Sequence, residues 1–218
     1  MKKNIIISPS VLACDFAYAA DSIGKVEAAG AEYLHLDVMD GVFVPNISFG
    51  PDFIKALRPH SKAVFDTHLM ITDPIRYIDV FAAAGSDIIT VHLESCNNFK
   101  ETLAYIRSKG LKAGAVIKPA TPVSSLREYL PYIDMILIMS VEPGFGGQAF
   151  IPESLNKLCE AREMIEASGL DIDLEVDGGV TAGNVADVRA AGANIIVAGS
   201  AVFKASDPAA AVKMLRER

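Results

Sequence analysis

Histidine and aspartate recur near the ends of short apolar runs in this sequence. His35 and Asp37 lie two residues apart in one run, His68 closes a second run, and Asp177 follows a third. Alternate side chains of a strand share a face, so His35 and Asp37 would point the same way. Two imidazoles and two carboxylates converging from a rigid sheet suit one divalent ion such as Zn²⁺, Mn²⁺, Fe²⁺ or Co²⁺. We therefore predict one divalent metal ion at these four residues, although structural rim histidines and helix-capping aspartates would give a similar pattern.

Glycine-containing loops follow the three apolar runs nearest the C-terminus: two hold a glycine pair, and the third holds Gly199-Ser200. Glycine lets backbone N–H groups approach an anion closely, so neighbouring glycine loops can bind a phosphate without a cationic side chain. Tight turns would also require glycine at such positions. The predicted phosphate contacts are Gly144, Gly146, Gly147, Gly178, Gly179, Gly199 and Ser200.

Methionine ends three of the apolar runs, at Met39, Met70 and Met139. Filling a core is the commoner role of methionine. Two of these residues, however, lie two positions beyond a predicted metal ligand on the same strand face. We predict that the three methionines form an apolar cover over the metal and contact the substrate.

These side chains need a scaffold that brings the ends of separate strands together. The predicted strands are Ile5–Ser8, Tyr33–Val38, Ala63–His68, Ile88–His92, Ala113–Ile117, Met135–Met139, Ile172–Val176 and Ile195–Ala198. The predicted helices are Ala17–Ala29, Asp52–Leu57, Ile75–Ala84, Phe99–Ser108, Ser124–Tyr129, Glu153–Ser168, Ala182–Ala190 and Pro208–Arg216, with a short extra helix at Ser200–Phe203. Strict alternation favours parallel strands joined by helices.

The length of the chain selects among the α/β folds. Its 218 residues give eight units of about 27 residues each, which matches a compact (β/α)₈ barrel. A doubly wound sheet is the competing arrangement, but no break in composition divides the chain into halves. The sequence therefore predicts an α/β fold, a TIM barrel that forms a single domain over residues 1–218. Its active site would lie at the C-terminal ends of the strands.

Composition argues against several classes of protein. With 20 Lys and Arg against 27 Asp and Glu, the net charge is −7, which disfavours a nucleic-acid surface. No apolar run reaches the roughly 18–20 residues of a membrane span, and Ser8-Pro9-Ser10 interrupts the N-terminal run that could suggest an export signal. Three widely spaced cysteines favour reduced thiols. We expect a cytoplasmic protein that binds neither nucleic acid nor membrane.

Longer motifs over essentially the whole chain resemble the ribulose-phosphate 3-epimerase family. The matching segments are Ser8-Pro9-Ser10, Asp15-Phe16, His35 to Asn46, His68-Leu69-Met70, Val91 to Glu94, Pro143 to Gln148, Val176 to Val180 and Ala198 to Phe203. The resemblance implies a (β/α)₈ isomerase of carbohydrate metabolism. Such an enzyme interconverts D-ribulose 5-phosphate and D-xylulose 5-phosphate in the pentose phosphate pathway. It also implies a sugar phosphate as the small-molecule partner and assembly into a homo-oligomer.

The resemblance further implies roles for individual residues. Asp37 and Asp177 would be metal ligands that also transfer protons, one on each face of C3, through a metal-stabilised enediolate. Inversion requires two such groups, because a single base would mostly return the proton to the face it came from. Ser8 and His68 would contact the substrate.

Alternatives remain open at this stage. Lys118 stands where the family often has Asn, which leaves open epimerisation of D-allulose 6-phosphate to D-fructose 6-phosphate. Lys118 is also the one candidate for the Schiff-base lysine of a barrel aldolase. A further alternative is a non-catalytic barrel that only binds a sugar phosphate. Such a protein would need neither a metal ion nor a pair of bases, so His35, Asp37, His68 and Asp177 argue against it. His92 and Glu94 end another strand at the same rim, with either a structural role or a contact to substrate.

Overall fold

The structure, a computed structural model that describes residues 3–217, contains eight parallel strands alternating with helices. The strands are β1 (Ile6–Pro9), β2 (Tyr33–Met39), β3 (Val64–Met70), β4 (Ile88–His92), β5 (Lys112–Ile117), β6 (Met135–Met139), β7 (Asp173–Asp177) and β8 (Ile195–Ala198). Their order is β1-β8-β7-β6-β5-β4-β3-β2. A parallel bridge between Ser10 and His35 joins the two end strands. The strands thus form a nearly closed barrel, which confirms the predicted fold; residues 1, 2 and 218 of the predicted domain lie outside the described part.

Helices surround this barrel. They are α1 (Ala19–Ala28), α2 (Pro51–Leu57), α3 (Ile78–Ala84), α4 (Phe99–Ser108), α5 (Ser154–Ser168), α6 (Val185–Ala190), α7 (Ser200–Phe203) and α8 (Pro208–Glu217). Between β5 and β6, the predicted α-helix Ser124–Tyr129 is instead a 3₁₀ helix, Val123–Tyr132. Pro131 lies inside this 3₁₀ helix and has no N–H, so the helix lacks one backbone donor there. Within residues 3–217, no helix combines the length and apolar character that a membrane span requires.

The register of β2 against β3 places the chemically interesting side chains next to one another. His35 is paired with Asp66, and Asp37 with His68. Because these positions alternate with the outward-facing residues Leu34 and Leu36, which belong to the core between strands and helices, they point into the barrel.

The barrel interior changes character along its axis. Near the N-terminal ends of the strands, Tyr33, Ile88, Met135 and Ile195 form a small apolar cluster. Towards the C-terminal ends, the interior instead carries the buried polar side chains of His35, Asp37, Asp66, His68, Thr90, His92 and Glu175. The apolar cluster thus closes the bottom of the barrel beneath a polar region near the opposite opening.

Candidate active site

Four side chains from three strands converge at the C-terminal end of the barrel. His35, Asp37, His68 and Asp177 each offer one ligand atom, and these atoms all lie within 4.8 Å of one another. Nε2 of His35 is 3.2 Å from Nδ1 of His68 and 3.3 Å from Oδ1 of Asp37. The first three side chains are buried, whereas Asp177 is partly exposed. The structure therefore brings together all four residues that the sequence singles out as metal ligands.

The remaining ring nitrogen of each histidine has a hydrogen-bond partner. Nδ1 of His35 donates to Oδ2 of Asp66 over 2.7 Å, and Oδ1 of Asp66 accepts from the Thr90 hydroxyl over 2.6 Å. Nε2 of His68 lies 2.9 Å from Nε2 of His92. If each of the two histidines carries its proton on the nitrogen that points away from the cluster, the unprotonated nitrogens of His35 and His68 face each other across the cluster. Such lone pairs repel unless a cation lies between them, so the donor set fits a divalent transition metal.

The charges around the cluster also favour a cation. Burial alone would lower the pKa of His35, but Asp37 and Asp66 outweigh burial and raise that pKa well above its usual range. Burial alone would raise the pKa of Asp37, yet His35 and His68 hold it well below its usual range. A divalent ion would supply the positive charge that His35 otherwise takes up as a proton.

The second carboxylate of the cluster behaves differently from the first. Burial, reinforced by the nearby charge of Asp37, raises the pKa of Asp177 to about 6. Like-charged neighbours disfavour ionisation of both groups at once. In the protein without an ion, Asp37 is thus the ionised carboxylate and Asp177 titrates closer to neutrality.

A third carboxyl group lies beneath the cluster on β7. Glu175 is fully buried, and neither of its oxygens has a hydrogen-bond partner within the described residues. Its Oε1 is 3.7 Å from Nδ1 of His35. Burial, with the charge of Asp66, raises the pKa of Glu175 well above its usual range. Burial therefore favours the neutral form of Glu175 beneath the cluster.

Ser10, which the sequence reasoning missed, holds Asp37. Its hydroxyl donates to Oδ2 of Asp37 over 2.6 Å. Ser8, the predicted substrate contact, is fully buried, and its hydroxyl has no partner among residues 3–217. The two serines alternate along one strand direction and share a face, so Ser10 lies one step nearer the C-terminal rim. That alternation was the signal that could have identified Ser10.

A cavity of about 240 Å³ extends from the carboxylates to the glycine loops. Asp37, Asp177 and Ser10 line one part of it. Of the predicted phosphate contacts, Gly146, Gly147, Gly178, Gly179, Gly199 and Ser200 line the rest. Gly144 is not among the lining residues, and its carbonyl accepts a 2.8 Å hydrogen bond from Asn46. No lysine or arginine is among the described residues that line the cavity.

The loop after β7 has glycines where a side chain would prevent its backbone from packing closely against neighbouring groups. Gly178 and Gly179 have φ of 123° and 66°, values that other residues rarely adopt. A Cβ on Gly178 would lie 2.5 Å from Val141, and one on Gly179 would overlap the backbone of Phe150. Their backbone N–H groups donate no hydrogen bond within residues 3–217. These groups are thus available to an anion in the cavity.

The three methionines do not form one cover. Met39 and Met70 pack with Val44 in one buried cluster, whereas Met139 packs in another with Val116 and Leu137. Met139 lies on β6, across the barrel from β2 and β3. None of the three methionines lines the cavity, and neither does His68.

Lys118 lies outside the cavity as well. Its Nζ is 4.0 Å from the centre of the Phe43 ring, and its backbone N–H donates to Glu94 over 2.8 Å. A cation over an aromatic face is a favourable contact. In this structure the lysine is therefore not placed as a Schiff-base nucleophile of the cavity.

Comparison with known proteins agrees with this geometry. The profile of the ribulose-phosphate 3-epimerase family matches residues 6–203. A ribulose-phosphate 3-epimerase of Synechocystis sp. is 51% identical over 99% of this chain and 95% of its own. One from Escherichia coli K12 is 48% identical over 94% of this chain and 92% of its own.

A solved structure shows the same fold at low identity. A crystal structure of 3-hexulose-6-phosphate synthase superposes with a TM-score of 0.71 and 21% identity, over 97% of this chain and 98% of that one. That likeness supports the barrel alone, whereas the family profile and the close relatives extend over the residues of the cluster. The chain belongs to the ribulose-phosphate 3-epimerase family and is an isomerase that acts on carbohydrates.

Proposed function

We propose that this protein interconverts D-ribulose 5-phosphate and D-xylulose 5-phosphate, with one divalent metal ion held by His35, Asp37, His68 and Asp177. One observation carries the proposal: a single cavity has two carboxylates at one part and glycine loops at another. A ketose phosphate has an acidic C–H bond next to its carbonyl group, which matches the carboxylates, and a phosphate group, which matches the glycine loops. The names of the close relatives support the same substrate pair.

Asp37 and Asp177 are the proposed proton carriers. They come from β2 and β7, which lie on different sides of the barrel, and both line the cavity. Each carboxylate can therefore serve its own face of C3, one removing the proton and the other returning one. Ser10 orients the Asp37 carboxylate through its hydrogen bond. A bound divalent ion supplies Lewis-acid stabilisation for the negative charge that develops on the substrate oxygens.

The glycine loops are the proposed phosphate site. The cavity lining holds no lysine or arginine among the described residues, whereas the N–H groups of Gly178 and Gly179 have no partner there. Successive backbone N–H groups can bind an anion on an acidic protein. Binding energy from the phosphate then positions the reacting carbon at the carboxylates.

A proton NMR experiment in D₂O tests the proposed reaction. D-ribulose 5-phosphate, D-allulose 6-phosphate and free D-ribulose are each incubated with the metal-loaded enzyme. We expect deuterium at C3 and inverted product with the pentose ester, and slower turnover by orders of magnitude without phosphate. A sample with substrate and metal ion but no enzyme is the control for adventitious exchange.

Two outcomes would change the proposal. Equal turnover of free D-ribulose would remove the role of the glycine loops. A tenfold preference for the hexose ester would assign the chain to D-allulose 6-phosphate epimerisation instead, an activity that none of the compared relatives carries in its name.

We also propose that the enzyme works in the cytoplasm as a homo-oligomer. Its three cysteines are free thiols, as a reducing compartment would keep them. Val42, Ile47 and Phe145 are large apolar side chains exposed on loops of the single chain. Sedimentation of the purified protein would measure its assembly.

A further inference from the structure

His92 and Glu94 continue the hydrogen-bond network behind His68. Nε2 of His92 lies 2.9 Å from Nε2 of His68, and Nδ1 of His92 lies 3.3 Å from Oε2 of Glu94. The His92 side chain is fully buried and does not line the cavity. The pair therefore contacts the metal cluster through His68 and does not line the cavity.

Glu94 accepts hydrogen bonds at both of its oxygens. Oε1 accepts from the backbone N–H of Lys118 over 2.8 Å and from the hydroxyl of Thr121. Oε2 faces His92. Burial would raise the pKa of Glu94, but its hydrogen bonds from His92, Thr121 and Lys118 lower it to about 2. An ionised carboxylate can only accept, so Nδ1 of His92 carries a proton.

This donor order fixes the proton on His68. A neutral His92 with its proton on Nδ1 can only accept at Nε2, so Nε2 of His68 must donate to it. The lone pair of His68 is then on Nδ1, the atom that lies 3.2 Å from Nε2 of His35 and 3.2 Å from Oδ1 of Asp37, where a cation would separate the lone pairs. The opposite tautomer of His68 would direct an N–H into the cluster and oppose a metal ion.

We propose that Glu94 and His92 are positioning residues that set the tautomer of His68 and present its Nδ1 to the metal ion. The inference rests on the proposed function, since it assumes that the cluster holds a divalent ion. It extends that function to two residues outside the four ligands, which act on the ion through His68 alone.

Lys157 on α5 anchors the loop that holds Glu94. Its Nζ donates to the carbonyls of Lys118, Pro119 and Thr121 over 2.7–2.9 Å. This ammonium group fixes the loop whose N–H and hydroxyl groups occupy Oε1 of Glu94. The other oxygen, Oε2, is thereby left to face His92.

The Glu94→Gln variant reverses the donor order with almost no change in shape. The amide oxygen would accept from Lys118 and Thr121, so the NH₂ group would face His92 and donate to it. His92 would then donate to His68 and drive the proton of His68 to Nδ1. Changes in the partners of ligand histidines typically weaken metal affinity by about 10–100-fold. We expect a loss in that range for Co²⁺, measured by chelator competition and the visible absorption of the bound ion.

The His92→Gln variant provides the matched control. Its amide group can accept from Nε2 of His68 but carries no proton controlled by Glu94. In the His92→Gln background, adding Glu94→Gln should therefore change Co²⁺ affinity by less than about threefold, within ordinary context dependence of such effects. An equal loss in both backgrounds would overturn the proposal, because it would show a merely structural role for Glu94.

The wild-type protein offers a second readout that needs no variant. Nitrogen-15 NMR of the zinc-loaded protein should show protons on Nε2 of His68 and Nδ1 of His92. A proton on Nε2 of His92 would overturn the inference even if Glu94→Gln failed to fold. Wild-type protein that binds neither Co²⁺ nor Zn²⁺ would refute the proposed metal site itself, which separates the two failures.

Discussion

The hydroxyl of Ser10 donates a 2.6 Å hydrogen bond to Oδ2 of Asp37, while Oδ1 of the same carboxylate faces His35 and His68. The two oxygens of Asp37 thus have different surroundings. One oxygen is held by a hydroxyl at the cavity, and the other belongs to the cluster of ligand atoms. In the proposed mechanism, this division would let Asp37 bind the ion through Oδ1 while Ser10 keeps the carboxylate oriented for proton transfer.

Ser10→Ala should reduce kcat because Asp37 loses the hydrogen bond that orients it. We expect a fall of about 10–100-fold, the range found when partners of metal-site groups are removed. Ser8→Ala, which deletes a buried hydroxyl without a partner, provides the comparison. Steady-state kinetics of both variants would decide between the serines. A larger loss for Ser8→Ala would return the role to the residue chosen from the sequence.

Asp37→Asn and Asp177→Asn should each stop epimerisation, since each face of C3 needs its own proton carrier. A positioned acid or base typically contributes about 10²–10⁴-fold, so kcat should fall at least that far. NMR in D₂O would also show whether one variant still exchanges the C3 proton without inversion. Retention of more than a few per cent of wild-type kcat by both variants would contradict the two-carboxylate mechanism.

Removal of divalent ions should lower thermal stability as well as activity. An ion present at 100 times its dissociation constant adds about 2.7 kcal/mol, or about 5–10 °C in Tm for a chain of this size. Calorimetry before and after chelation, followed by re-addition of Co²⁺ or Zn²⁺, measures the effect. In His68→Ala, the added ion should no longer raise Tm. Full activity in protein shown by elemental analysis to be metal-free would refute the metal requirement.

Gly199→Ala should impair recognition of phosphate with little effect on stability. The added Cβ would lie 3.2 Å from Cβ of Ala13 and 3.5 Å from Cβ of Ser10, so the cavity wall must shift slightly. Small displacements of a bound substrate are costly to catalysis, and we expect kcat/KM to fall by about 10–100-fold. Gly24→Ala is the control, because a Cβ there meets nothing within 4 Å and favours helix α1. Unchanged kcat/KM in Gly199→Ala would contradict the proposed phosphate site.

A pH-dependent loss of stability should follow from Glu32→Gln. Arg216 on α8 lies 2.7 Å from each carboxylate oxygen of Glu32, ahead of β2. Burial would raise the pKa of Glu32, but Arg216 and the backbone N–H of Ile7 together outweigh burial and lower that pKa below its usual 4.5. The stabilising contribution is therefore complete above pH 4.5 and is lost as the pH falls through the folded-state pKa.

Thermal melts across pH would measure this effect. For a partly exposed pair, Tm of Glu32→Gln should be about 2 °C lower at pH 7, and the difference should shrink below pH 4.5. The same substitution in an Arg216→Gln background should show a smaller pH-dependent difference. A gap in Tm that stays constant down to pH 2 would exclude the ion pair as its cause.

The sequence predicts the barrel and the ligand cluster because both depend on simple periodicities. Alternation along β2 and β3 places His35, Asp37 and His68 on the inner face, and parallel strands deliver their C-terminal ends to one rim. Ser10 is harder to predict because it lies just beyond Pro9, the last residue of β1, and joins the sheet through an isolated bridge to His35. That bridge moves the rim from Ser8 to Ser10.

Other features depend on side-chain geometry that no periodicity encodes. The separation of Met139 from Met39 and Met70 follows from the closure of the barrel, which sets distances between strands far apart in sequence. The connection of Glu94 to His68 through His92 depends on ring orientations and on the loop around Thr121. The sequence places these residues near one rim but does not show which atoms meet.

The parallel bridge between Ser10 and His35 has a consequence for synthesis on the ribosome. The N-terminal part of the chain emerges first and carries His35, Asp37 and His68, but Asp177 and strand β8, the partner of β1, are made much later. A nascent chain therefore carries three of the four proposed ligands, with no closed ring around them, until the segment from Asp177 to β8 has been made. With the proposed metal site, capture of the ion at full strength would be a late event, coupled to release of the last strand, and a prematurely terminated chain would lack both the fourth proposed ligand and the seam that holds the others in place.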